Sequence, residues 1–377
     1  MQKLGSIRGC CFFLFVSFLS GCTNFAVEDC PKGGVLGNDD PGSARLRTSH
    51  YRVMLANPAA AAARFLPYAI MSTYAYKIND GCVDRGNKVR VPPERSAELL
   101  TWLKNTTGDA SPWQLDQSFG TQDKQTGRIG CEDDVGLAFN VWHRTIGKQE
   151  HVVIAFRGTS GPGDWMYGNF WWFSRFFAGD NQLSRARSYG AKIIQHFDTK
   201  ARAEGSPLPR YVVTGHSLGG TLAQHLLYTF PKRIDQAIVF DASSVTGFAD
   251  PAISRADRVA GCSCEPELGP EARIIRIYLP REILANLRLF HKLWLPPERH
   301  VQELRFPFEA SWNPVSRHGI YEFTSNMQKL SAQRRMDEVG QSWFASKTSA
   351  CTGPLIQKQK DSCSVVVPPS AQFVCPQ

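Results

Sequence analysis

The chain has 377 residues, of which 42% are apolar and 20% charged. This allows one large domain or two ordinary ones and excludes a disordered, collagen-like or repetitive polypeptide. The net charge of +9 is spread without a dense Lys/Arg tract, which argues against nucleic acid as a partner and leaves a basic surface suited to anionic headgroups.

In chain order, residues 1–21 are read as an export signal. Lys3 and Arg8 precede the short apolar run "CCFFLFVSFL", which is too short to span a bilayer. The run ends in "LSGC" at 19–22, which resembles the lipobox of bacterial lipoproteins. That resemblance implies an acylated Cys22, membrane anchorage through it, and a place in the bacterial cell envelope. Thr23 is not the aspartate associated with inner-membrane retention, so the outer membrane is favoured. Residues 22–57 read as anchor and tether, 58–345 as the folded domain, and 346–377 as a cysteine-containing extension. With Cys10 and Cys11 removed with the signal and Cys22 acylated, Cys30, Cys82, Cys131, Cys262, Cys264, Cys351, Cys363 and Cys375 remain. An even set in an exported chain predicts disulfides of undetermined pairing. The "CSC" at 262–264 lacks companion metal-ligand spacing, so no metal is expected.

Within the domain, Ala60–Ile78 predicts a helix interrupted at Pro67, and residues 80–130 mix short helical pieces with turns. "VGLAFNVWH" alternates like a strand, and "EHVVIAFRGT" at 150–159 reads as a buried one. The segment 164–180 carries Trp165, Tyr167, Phe170, Trp171, Trp172, Phe173, Phe176 and Phe177, read as a lid or membrane-facing element over an apolar pocket. A helix over 181–204 is stopped by Gly205 and Pro207. The strand Tyr211–Thr214, the helix Leu218–Phe230 and the strands 236–240 and 272–279 follow. This alternation predicts an α/β architecture, a mostly parallel sheet with helices on both faces.

Between the strand at 211–214 and the helix at 218–230 lies "GHSLG", residues 215–219, which matches G-x-S-x-G in the strand–turn–helix context that a nucleophile elbow requires. Ser217 is the candidate nucleophile. At a helix N-terminus its surroundings favour negative charge, and the N–H of Leu218 is one candidate oxyanion donor. Upstream lie Phe156-Arg157-Gly158-Thr159 and Asp164-Trp165. Paired with Gly215–Gly220, this set resembles the class 3 lipases, the family of the fungal triacylglycerol lipases, over roughly residues 150–245. The resemblance implies an α/β-hydrolase fold, Thr159 as second oxyanion donor, and Arg157 holding its loop in place.

The serine needs a base and an orienting acid, in the chain order Ser, acid, His. Among the later histidines, His225 reads as packing, while His291, read as a helix residue, and His300, read as surface, stay open as alternative bases. His318, in "NPVSRHGIYEF", stands in a loop leading into a helix, which is where the family keeps its base. Two acids compete. Glu282 in "REIL" occupies the family's position for the acid with Glu in place of Asp, and Asp241 in "VFDASS" ends the strand directly after the elbow. Asp250 and Asp257 read as solvated.

The chemistry implied is cleavage of carboxylic esters, lipid or phospholipid before small soluble ones, with no cofactor. A fold retained for binding alone, or a thioesterase or amidase, are the competing readings.

Overall fold

The computed structural model describes residues 48–52, 58–77, 91–107, 111–121, 129–158, 182–242, 246–248, 250–262, 271–279, 284, 297–306, 308 and 318–333. The lipobox, the aromatic segment, Thr159, Glu282, His291 and the C-terminal extension lie outside them. Among the described residues no helix is long and apolar enough to cross a membrane.

One eight-stranded sheet organises these residues, in the order β1-β8-β7-β6-β5-β4-β3-β2. The strands are β1 (Thr48–Arg52), β2 (Gln114–Asp116), β3 (Phe139–Ile146), β4 (Gln149–Phe156), β5 (Arg210–His216), β6 (Ile234–Phe240), β7 (Ile274–Tyr278) and β8 (Pro297–Arg305). From β4 to β8 and on to β1 every pairing is parallel; β2 and β3 close the other edge antiparallel. Three of these strands depart from the sequence reading, β2 among them, since residues 80–130 are expected to hold short helical pieces and turns. Thr48–Arg52, expected in the tether, pairs with β8. The segment around His300, expected at the surface, is β8 itself.

The helices are α1 (Pro58–Tyr74), α2 (Pro93–Thr107), α3 (Gln182–Ala203), α4 (Leu218–Thr229), α5 (Arg255–Gly261) and α6 (Ile320–Ala332). Strand residues alternate between two cores, as the two-residue period of a pleated strand requires. Val153, Ala155, Ile238, Phe240, Ile275 and Ile277 pack with α1, α2 and α6. Val152, Ile154, Phe156, Ala237, Val239 and Ile274 pack with α3 and α4 on the opposite face. Both faces being covered explains why the central strands read as unbroken apolar runs.

Helix α1 runs through Pro67 rather than breaking there. Pro67 sits on the partly exposed side, while Ala61, Ala62, Phe65, Leu66, Ala69 and Ile70 are buried on the inner one. Burial of that face offsets the roughly 3 kcal/mol an interior proline costs. Helix α3 ends as the sequence predicts. Gly205 takes φ +63°, and the N–H of Ser206 reaches back to the Ala201 carbonyl at 2.9 Å, a turn that suits glycine because it lacks a Cβ. Cys131 and Cys262 are disulfide-bonded.

Candidate active site

The elbow is built from backbone collisions avoided. Ser217 stands between β5 and α4 with φ 56° and ψ −119°, a conformation that costs a non-glycine residue of order 1–3 kcal/mol. Three glycines make the turn feasible. A Cβ on Gly215 would lie 2.3 Å from the Gly219 carbonyl carbon, and one on Gly219 would lie 2.3 Å from the Phe156 carbonyl oxygen. One on Gly220 would lie 2.5 Å from Ala242 Cβ. The elbow is pinned across the sheet by the Ser217 N–H donating to the Phe240 carbonyl at 3.0 Å. Leu218 opens α4, so its N–H is a first-turn donor without an intrahelical acceptor.

Strand register places the next group. His216 pairs with Phe240, so Asp241 leaves β6 beside Ser217. Asp241 is fully buried and takes a positive φ of 42°. Its Oδ1 accepts the Leu279 N–H at 3.0 Å and its own N–H donates to the Ile277 carbonyl at 2.8 Å. His318, one residue ahead of the α6 N-cap Gly319, is buried against the elbow. Its ring centroid lies 4.7 Å from that of His216. One potential ligand atom from each of His216, Asp241 and His318 lies within 4.8 Å of the other two. Of the sequence-derived candidates, Asp241 and His318 therefore gather around His216, the residue before Ser217 and Leu218 on the elbow.

The upstream loop meets the elbow as well. A Cβ on Gly158 would lie 2.4 Å from the His216 carbonyl oxygen and 3.2 Å from Ser217 Cβ. The Gly158 N–H donates to Tyr76 Oη at 3.1 Å. That donor is already engaged, so any oxyanion donor from this loop comes from a later residue. Arg157 is buried and pairs through Nη2 with Glu132 Oε2 at 2.7 Å, and its own N–H donates to the Ala138 carbonyl.

Sequence reasoning overlooked two side chains, Tyr76 and His216. Tyr76 Oη lies 2.8 Å from His216 Nδ1. Because Oη accepts from Gly158 and has no other acceptor in reach among the described residues, its proton goes to His216 Nδ1, and His216 carries its own proton on Nε2. Burial, and then the neighbouring His318, push the His216 imidazole well below its usual value, so it is neutral. Burial pushes the Tyr76 hydroxyl upward and keeps it a donor. A neutral imidazole protonated on Nε2 offers no lone pair to a metal there, so the three-residue cluster suits proton handling better than ion binding. Position 216 is the variable place of G-x-S-x-G, so the motif flagged it only as a spacer. Nothing in the sequence around Tyr76 sets it apart from other helix aromatics.

The remaining histidines and acids fall elsewhere. His300 is buried on β8 with Nε2 2.8 Å from Tyr228 Oη, which corrects its reading as a surface residue. His225 is buried packing, its Nδ1 3.1 Å from the Gly247 carbonyl. Asp250, expected in solvent, pairs with Arg187, with His225 Nε2 3.7 Å away. Asp257 is half-buried and bonds Ser254 at the start of α5.

No family model matches the chain, and no curated protein matches it. Among solved structures, the Lip2 lipase of Yarrowia lipolytica is similar at 15% identity and a TM-score of 0.37, over 72% of this chain and 86% of that one. Lipase II of Rhizopus niveus is similar at 16% identity and a TM-score of 0.34, over 63% and 77%. Scores this low carry no argument. The fold is that of an α/β-hydrolase on its own geometry: a mostly parallel sheet covered on both faces, with a serine held at positive φ between a central strand and the helix that follows it.

Proposed function

We propose that the protein is a serine acyl hydrolase of carboxylic esters, lipid or phospholipid esters foremost, exported and anchored through acylated Cys22. The observations that carry this reading are Ser217 held strained at positive φ on the elbow and, around the neighbouring His216, buried Asp241 and His318 with a ligand atom of each within 4.8 Å of one another. In this reading Ser217 Oγ attacks the ester carbonyl while His318 removes its proton and then delivers it to the leaving alkoxide. Asp241 holds the imidazole in the productive tautomer and stabilises its cation. The N–H groups of Leu218 and Thr159 receive the oxyanion. Water, activated by the same histidine, then frees the acid. The sequence left Glu282 and Asp241 competing as the acid. The placement of Asp241 favours it, while Glu282 lies outside the described residues. The disulfides at Cys131 and Cys262 support an oxidising compartment, and the aromatic segment 164–180 supports an apolar acyl substrate.

The test is turnover on an ester series of increasing chain length, with fluorophosphonate labelling of Ser217. Ser217→Ala should abolish both. Asp241→Asn should lower kcat by about 10⁴, whereas Glu282→Gln should stay near wild type. A full-rate Asp241→Asn with an inactive Glu282→Gln would move the acid. Absent turnover and absent labelling would overturn the reading.

A further inference from the structure

The Tyr76–His216 pair is more elaborate than an elbow requires. A turn of this kind needs glycines around the serine, but it has no need of a buried imidazole before it or of a phenol reaching it from the turn after α1. Here a directed chain of donors runs from the Gly158 N–H to Tyr76 Oη at 3.1 Å, and from Tyr76 Oη–H to His216 Nδ1 at 2.8 Å. It ends on His216 Nε2–H. That atom is buried, His216 being 4% exposed, and with Nδ1 engaged by Tyr76 the hydrogen bond between this imidazole and the His318 backbone falls to it. A buried donor in such a position is costly unless something in the site receives it. Its surroundings are the groups of the proposed triad. An atom from Asp241 and one from His318 lie within 4.8 Å, and the two imidazole rings are tilted 45° to each other.

Resting on the acyl-hydrolase reading, we infer that Tyr76 and His216 are a positioning pair that couples the strand end carrying the oxyanion loop to the catalytic base. Through Tyr76, the orientation of the Gly158 peptide fixes the tautomer of His216. His216 then presents a single N–H, by way of one water or directly, to the Asp241–His318 pair, and its ring limits how far the His318 ring turns. Both ends respond to one hydroxyl.

The test uses the full chain with Tyr76→Phe, His216→Phe, His216→Gln and His216→Asn, measured for kcat and KM separately on one soluble ester. Tyr76→Phe removes a single oxygen and serves if a His216 variant fails to fold. Expected for Tyr76→Phe and His216→Phe is a fall in kcat of about tenfold to a hundredfold, the usual effect of losing a supporting hydrogen bond, with KM within about twofold. The double variant should be no worse than the poorer single, because the two residues act as one unit. His216→Gln places an amide donor near the Nε2 position and should recover part of kcat. His216→Asn places it near Nδ1 and should not. Unchanged kcat in Tyr76→Phe, an effect confined to KM, a purely additive double, or equal behaviour of Gln and Asn would each overturn the proposal. Ser217→Ala separates the failures: an active Ser217→Ala defeats the acyl-hydrolase reading itself, while an inactive one beside a full-rate Tyr76→Phe defeats only the coupling.

Discussion

Substituting Gly219 by alanine adds one methyl group in the most crowded place on the elbow. The new Cβ would meet the Phe156 carbonyl oxygen at 2.3 Å, the Phe156 carbonyl carbon at 2.8 Å and the Arg157 carbonyl carbon at 2.9 Å. All three are backbone atoms, so no side chain can rotate away. The first turn of α4 must separate from the end of β4 by about 1 Å to restore ordinary contact distances. Overpacking of this kind costs about 1–3 kcal/mol, and more where backbone must move; we expect about 3 kcal/mol here. The same displacement moves the Leu218 N–H relative to the loop after Gly158, and misplacement on this scale lowers a rate by about a hundredfold. Gly147→Ala is the control. Gly147 has a positive φ of +62°, and nothing lies within 4 Å of its added Cβ. It should cost about 1 kcal/mol of backbone strain and leave turnover unchanged. Urea unfolding with parallel ester kinetics measures both. Wild-type stability together with wild-type kcat in Gly219→Ala would refute the argument from close approach.

Three further outcomes are expected. Buried His216 and His225 both titrate below the unfolded value of 6.5, His225 at about 4, chiefly through burial. Below pH 6.5 the unfolded chain therefore binds more protons than the folded one, and stability falls toward acid by up to about 1.4 kcal/mol per pH unit for each histidine. Urea midpoints between pH 7 and 5 should show this slope, and His225→Gln should flatten it. Arg273 is buried and donates to the carbonyls of Ala260, Pro231 and Ile234; Arg273→Met should destabilise by about 3 kcal/mol through carbonyls left without donors, read as a lower urea midpoint. If Cys22 is acylated as proposed, Cys22→Ser should move the protein from the membrane to the soluble fraction after cell fractionation, since each acyl methylene contributes about 0.8 kcal/mol of anchoring.

What the sequence disclosed follows from which interactions are local. The strand–Gly–His–Ser–Leu–Gly–helix passage was legible because each residue answers to its immediate neighbours. So were β4, β6 and β7, whose apolar runs signal burial on both faces. β8 was not, because "PERHVQELR" looks like surface. His300 is buried only because Tyr228 meets it from α4, and Gln302 and Glu303 because the Ala272 N–H and Tyr278 Oη do the same from β7 and its approach. The proximity of Asp241 to His318 was equally hidden. It depends on β6 lying beside β5 with His216 opposite Phe240, a register no single stretch of sequence encodes. Pro67 misled for the same reason: local propensity predicts a break, and the packing of α1 against the sheet and α6 prevents it.

The docking of α6 on α1 has a consequence for the order of synthesis. Ser217 and Asp241 emerge within a couple of dozen residues of each other, and Asp241 is fixed once β7 and its end supply the Ile277 carbonyl and the Leu279 N–H. His318 arrives about a hundred residues after Ser217, and the helix it precedes is held by α1, through Thr324 Oγ1 against Thr73 Oγ1 at 2.7 Å and Phe323 and Met327 in the shared core. A growing chain therefore carries its elbow well before it carries the third member of the cluster. The cluster closes only when the last described helix packs on the first, so a growing chain holds the serine before its proposed base.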